Sequence, residues 1–230
     1  MNSNKQTGRI VGVLFLLIFI AGVLIYQFLR GPVFADDFLV GTSLNANQII
    51  LSTLLGLLGG TLSILVAVIL LPLFKQYSPK LAYLYLSFCI LNFVAIAIEN
   101  YSALSLLEFS REYVQNGTDN AFLQSMGTVF KKNHRWAHYT YLLTSCLPVF
   151  VLFYTLFYSK LIPRAISIFG LFAVVLMSIE VLFSIFGIST HIDLFIPIGL
   201  IQIFLPFWLM VKGFRSKGEI ASAKLSMFKH

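Results

Sequence analysis

The chain has 230 residues, 58% of them apolar and 11% charged, with a mean hydropathy of +0.88. Ordinary soluble domains carry roughly 45–50% apolar and about 25% charged residues. Too few charges remain here to cover a water-exposed surface, which excludes a soluble enzyme, a nucleic-acid reader and a disulfide-stapled secreted domain. The net charge of +7 therefore does not point to nucleic acid. In a membrane chain Lys and Arg hold loops on the cytoplasmic side and meet anionic lipid.

Six apolar runs follow in order, at about 10–29, 49–74, 81–104, 136–157, 165–186 and 194–211. Each is near the ~20 residues a helix needs to cross a hydrocarbon core of about 30 Å. The ~10-residue alternation of membrane strands is absent. The expected fold is all-α, a single polytopic bundle of six transmembrane helices. The first run is longer than the apolar core of a signal peptide, which is about 7–15 residues, and reads as an uncleaved first helix. Between the third and fourth runs, Phe122, Leu123, Met126, Val129 and Phe130 follow helical spacing. They predict a short amphipathic helix lying on the outer surface, capped by Thr118 or Asp119, with Lys131 and Lys132 reaching headgroups. The stretch 213–230 reads as a basic cytoplasmic tail.

With both ends cytoplasmic, the inner segments carry eleven of the sixteen basic residues. The outer ones carry five, namely Arg30, Arg111, Lys131, Lys132 and Arg135. This asymmetry supports both ends on the cytoplasmic side of the membrane. The lipid bilayer is the expected partner. Ser52, Gly56 and Gly60 fall at four-residue spacing, and such small residues let helices approach closely. They serve either packing within the bundle or a homo-oligomer seam through Gly56 and Gly60. Cys89 and Cys146 lie in apolar runs and read as buried free thiols.

Charges inside spans need a partner or a use. Glu99 and Glu180 are the two acidic candidates. With the orientation above, they gather toward the outer face with Asn100, Arg135, His138, Tyr139 and His191. Three readings stand side by side. The carboxylates are solvated or paired, Glu180 with Arg135 or His138. Alternatively they line an outward pocket for an ion or small solute. Or His134 and His138, four apart on one helix face, contribute to a metal site with a Glu. The Glu of a metalloprotease HExxH is missing, and no Ser-His-Asp order, P-loop or Rossmann glycine pattern occurs. No catalytic residue, metal ligand or cofactor is therefore assigned. Asn92 and Gln202 are expected to face the bundle interior, because an amide turned to lipid is costly.

The segments Arg9–Phe15 (RIVGVLF), Ser159–Gly170 (SKLIPRAISIFG), Pro197–Gln202 (PIGLIQ) and Trp208–Phe214 (WLMVKGF) together resemble the bacterial membrane-protein family called domain of unknown function 4386, over nearly the whole chain. The resemblance implies six helices in the cytoplasmic membrane and brings no activity with it. Members of that family often carry Arg and Glu in helix three, where this chain has Cys89 and Asn92. They often carry Asn-Glu in helix six, where it has Ile201 and Gln202, and Glu180 has no matched counterpart. The expected role is that of a multi-pass, non-enzymatic membrane protein. The alternatives are a small-solute or proton-coupled transporter using outer-leaflet carboxylates, and a membrane-embedded enzyme acting on lipid.

Overall fold

A computed structural model describes residues 3–117, 120–188 and 193–216. Among these residues the fold is entirely helical. Helix α1 (Ser3–Val23) runs into a π-helical turn, Leu24–Leu29, and two short helices follow, α2 (Gly31–Phe34) and α3 (Phe38–Leu44). Then come α4 (Ala46–Lys75), α5 (Pro79–Gln115), α6 (Ala121–Ser159), α7 (Arg164–Ile185) and α8 (Ile196–Lys212). Helix boundaries have local causes. Ser78 caps α5 by accepting from the Leu81 amide, and Pro79 occupies a first-turn position where its missing N–H costs nothing. Lys160 takes a left-handed conformation that stops α6, and Pro163 precedes α7.

The six long helices close into a ring in chain order. Helix α1 packs on α4 and α8, α4 on α5, α5 on α6, α6 on α7, and α7 most sparsely on α8. Helices on opposite sides of the ring do not pack broadly on one another. One end of the ring is drawn tight by glycine. A Cβ on Gly8 would stand 2.6 Å from the Phe214 amide nitrogen, and one on Gly213, where φ is +67°, would stand 2.7 Å from Lys5 Cα. The Arg215 amide donates to Leu161 O at 2.9 Å, and Asn4 Nδ2 donates to Arg215 O at 3.2 Å. The start of α1, the α6–α7 turn and the end of α8 therefore meet at one end.

Five helical stretches are long and apolar enough to cross a membrane: Asn4–Leu29, α4, α5, α6 and α7. Helix α8, with 17 residues, is a shorter apolar helix. These are the helices of a membrane protein. Most of the buried apolar side chains form one large core within the ring. A second core joins Val33, Leu39 and Ile49 to Ala103, Leu106, Leu107 and Tyr113, where α2 and α3 lie against the upper part of α5.

One expectation about the segments between runs is corrected. The third loop does not hold a separate helix on the surface. Residues 121–130 are the opening turns of α6, which continues unbroken for 39 residues, and α5 runs for 37. At 1.5 Å per residue these helices reach about 55 and 58 Å. The hairpin persists because each helix gives the other an apolar partner. Phe109 stacks on Phe130 at 4.7 Å, and Leu123 and Phe130 pack on the second core. Its cap is Asn120, whose Oδ1 accepts from the Phe122 and Leu123 amides; Thr118 and Asp119 lie outside the described residues. Lys131 donates to Ala35 O at 3.1 Å and stands over the Phe38 ring, so it ties α6 to the α2–α3 segment. Of the stretch 213–230, the structure describes residues 213–216. Its beginning is packed into the tight end of the ring, where Phe214 is 1% exposed. Residues 217–230 lie outside the described residues.

The glycine contacts set a contrast. A Cβ on Gly12 would meet Pro206 O at 2.8 Å and Leu209 Cβ at 3.1 Å, whereas one on Gly22 would meet nothing within 4 Å. Alanine favours a helix over glycine by roughly 0.5–1 kcal/mol, yet overpacking costs about 1–3 kcal/mol. Gly12→Ala is expected to lower the melting temperature in detergent, and Gly22→Ala to leave it unchanged or raise it. A thermal-shift measurement on the two variants reads the difference.

Candidate functional site

Glu99 lies twenty residues beyond Pro79 on α5, about 30 Å up from the start of that helix. His138 lies twenty-one residues before Ser159 on α6, about 32 Å from the same end, and Ser52 lies twenty-three before Lys75 on α4, about 35 Å. Three helices thus bring polar side chains to one level, between the two cores. The π-helical turn supplies the fourth contribution. There the Arg30 amide donates to Ile25 O, a five-residue step. Tyr26 and Arg30 rise from this wide turn with the guanidinium 5.4 Å from the tyrosine ring. Such turns are concentrated at functional sites.

Arg30 is the centre of the network. It is 1% exposed, and so is Glu99. Its Nη1 meets Glu99 Oε1 at 2.5 Å, Nη2 donates to Asn100 Oδ1 at 2.5 Å, and Nε donates to Ser52 Oγ at 3.3 Å. Asn100 Nδ2 in turn donates to Thr53 O, and Ser52 donates to Ile49 O. Glu99 is supplied from the other side. The Tyr26 hydroxyl lies 3.1 and 3.0 Å from its two oxygens, and His138 Nδ1 lies 2.8 Å from Oε1. Burying two charges costs several kcal/mol per ion unless the remaining donors and acceptors are matched. Here three directions of the guanidinium and both carboxylate oxygens have partners, which is what makes the burial tolerable.

A carboxylate against a guanidinium is an anion and can only accept. The proton of the His138–Glu99 bond therefore sits on His138 Nδ1, and Nε2 is the nitrogen left over. One turn earlier, His134 takes a different part. Ser102 donates to Glu99 O at 2.7 Å, so its oxygen accepts from His134 Nδ1 at 2.9 Å. His134 Nε2 is buried without a hydrogen-bond partner among the described residues.

Below the network the helices line a half-open cavity of about 710 Å³. This is within the ~300–1,000 Å³ typical of small-molecule sites. Its charged lining is confined to the upper end: Arg30, Glu99 and Asp193, with His138 beside them. Further down come the amides of Asn92 and Gln202, then walls of Phe, Leu, Ile and Val.

Of the residues singled out from the sequence, the structure brings together Glu99, Asn100 and His138. Asn92 is buried, accepts from Thr144 Oγ1 at 3.2 Å and lines the cavity, as does Gln202. The other candidates stand apart. Arg135 is exposed on α6, and Tyr139 is half-buried beside Trp136 and His138 without lining the cavity. Glu180 is half-buried on α7, sixteen residues from Arg164 and so about 24 Å up, a turn or more below Glu99. It does not line the cavity. His191 lies outside the described residues. Gly56 and Gly60 face α5: a Cβ on Gly56 would stand 2.8 Å from Asn100 Nδ2, and one on Gly60 2.7 Å from Phe93 Cδ2. Their smallness serves a contact inside the chain. Among the described residues, no three His, Cys, Asp or Glu side chains gather as a metal ion requires.

Arg30 and Tyr26 are the functional residues that sequence reasoning missed. The available signal was a charge of opposite sign to Glu99 at the matching end of a neighbouring run.

An all-helical ring with five stretches able to cross a bilayer, and an ion pair buried at one end of an internal cavity, defines a membrane protein with an interior polar site. The family model described as "Domain of unknown function (DUF4386)" matches residues 10–213, and the chain belongs to that family. No curated protein and no solved structure matches it.

A hydrogen bond to a charged group contributes about 1.5–3 kcal/mol. Tyr26→Phe is expected to lower stability by that amount, while Tyr101→Phe, 74% exposed, changes it by less than about 0.5 kcal/mol. Equilibrium unfolding in mixed micelles measures both.

Proposed function

We propose that this chain is a six-span membrane protein that acts by binding a lipid-soluble small molecule within its ring, as a sensor or carrier and without chemistry of its own. Both ends lie on the cytoplasmic side of a bacterial cell membrane. The observation that carries this reading is the cavity, charged at one end and apolar along most of its wall. The shape suits an amphiphile whose polar head stands at the Arg30–Glu99 level. Helix α8 counts as the sixth span because it closes the ring between α1 and α7 and ends beside the start of α1.

The transporter alternative has less support. Transport calls for a polar path across the bundle and for broken helices at mid-membrane. Here the charges sit at one end, and α4 to α8 are continuous. The enzyme alternative needs a group free to take or give a proton at a reacting atom. Both oxygens of Glu99 are already engaged, so His138 Nε2 is the group of this network left for that role.

Two measurements test the proposal. Native mass spectrometry of protein taken from membranes without detergent exchange is expected to show a small apolar adduct. The adduct should be lost in Ser145→Trp, which fills the cavity, and kept in Tyr158→Trp on the exposed face; an adduct indifferent to Ser145→Trp contradicts the reading. For topology, a membrane-impermeant maleimide should label Asn116→Cys in intact cells and Lys160→Cys only after permeabilisation. The reverse pattern overturns the orientation.

A further inference from the structure

We propose that the ligand head received at the top of the cavity is an uncharged hydroxyl, an alcohol or a phenol on an apolar tail, and that His138 Nε2 is the atom that accepts it. This rests on the binding reading above and names the chemistry of that same site.

Arg30 and Glu99 neutralise each other at 2.5 Å. The other charged group on the cavity wall is Asp193 at the rim, exposed, with its Oδ1 accepting from the Phe195 amide. Among the described residues, these three groups of the lining sum to one negative charge. An anionic head would meet that excess, and its obvious counter-charge, the guanidinium, is already committed to Glu99, Asn100 and Ser52. A cationic head at the same level would stand against that guanidinium. Deeper in the cavity the polar side chains are neutral, the amides of Asn92 and Gln202 among them. A charge carried into such surroundings without a partner costs far more than an uncharged polar group that finds a hydrogen bond.

Hydrogen-bond direction then selects among uncharged heads. His138 donates through Nδ1 to Glu99, and in that tautomer of the imidazole the other nitrogen, Nε2, is an acceptor. The side chain is 20% exposed, in a residue that lines the cavity, so that nitrogen is reachable. An acceptor asks for a donor, and the uncharged donor that an amphiphile carries most simply is a hydroxyl. Tyr141 also lines the cavity, its ring 6.1 Å from that of His138 and stacked on Tyr26 at 6.2 Å, so a second phenol stands at the level of the head. From His138 to Phe153, both on the wall, α6 runs fifteen residues, about 22 Å of length for a tail.

The test uses full-length protein in phosphatidylcholine nanodiscs. Each preparation carries one of three probes with the same tail at equal mole fraction: hexadecanol, palmitate or hexadecyltrimethylammonium. Native mass spectrometry counts bound probe. Hexadecanol is expected to bind at least about ten-fold more than either charged probe, a difference of about 1.4 kcal/mol. His138→Phe should bring it down to their level, and His138→Gln, which keeps an accepting oxygen, should restore most of it. A melting curve for each variant separates loss of the head contact from loss of the fold. Equal or stronger binding of palmitate or of the ammonium probe, abolished by Ser145→Trp, overturns the head assignment and leaves the binding reading standing. Probe binding that Ser145→Trp does not reduce, or no binding of any probe, overturns both.

Discussion

The buried pair of Arg30 and Glu99 is the interaction on which the rest of the arrangement depends. It lies where the large apolar core of the ring gives way to the smaller core under α2 and α3. An ion pair at such a boundary is tolerated only when its leftover lone pairs and protons are matched. Four elements are therefore drawn to one level: the π-helical turn, α4 through Ser52, α5 through Glu99 and Asn100, and α6 through His138. At the opposite end the ring is closed by shape instead, with backbone seated on Gly8, Gly12 and Gly213. Between a polar closure and a steric one, helices on opposite sides of the ring do not pack broadly on one another, and the cavity follows from that geometry.

The two kinds of closure differ in consequence. Glycine contacts tie α1 to α8 by close approach of their backbones. The polar closure orders its own donors and leaves a nitrogen over, since His138, a residue of the cavity wall, is held by one ring nitrogen. A site built in this way is pre-organised at its head and permissive along its walls. That combination suits recognition of a head group on tails of varied shape, and it fits a sensor or carrier better than a selective pore.

The membrane class was fully legible in the sequence, because continuous apolar runs leave a hydropathy signal that no local detail can hide. Glu99, Asn100 and His138 were legible as a group, since a charge in a span demands a partner and all three lie at one depth. Arg30 was not, because it stands just past an apolar run and reads as the first residue of a loop. What buries it is the π-helical turn, and a five-residue step cannot be seen in a 3.6-residue periodicity. The true length of α5 and α6 was hidden for another reason. Their upper halves carry Glu108, Arg111, Lys131 and Lys132, which look like loop, yet Leu106, Leu107, Phe109 and Phe130 on the facing sides keep both helices intact. Arg135 offered the right charge in the sequence but faces outward from α6, on the residue next to buried His134.

The most direct test of this account is a double-mutant cycle on Arg30 and Glu99, with unfolding free energies measured for Arg30→Met, Glu99→Met and the pair together. Removing one partner strands the other charge, at a cost of about 3–5 kcal/mol, whereas removing both leaves an apolar contact. The account predicts that the double variant is no less stable than either single one. Costs that simply add, with no coupling beyond about 0.5 kcal/mol, would contradict it.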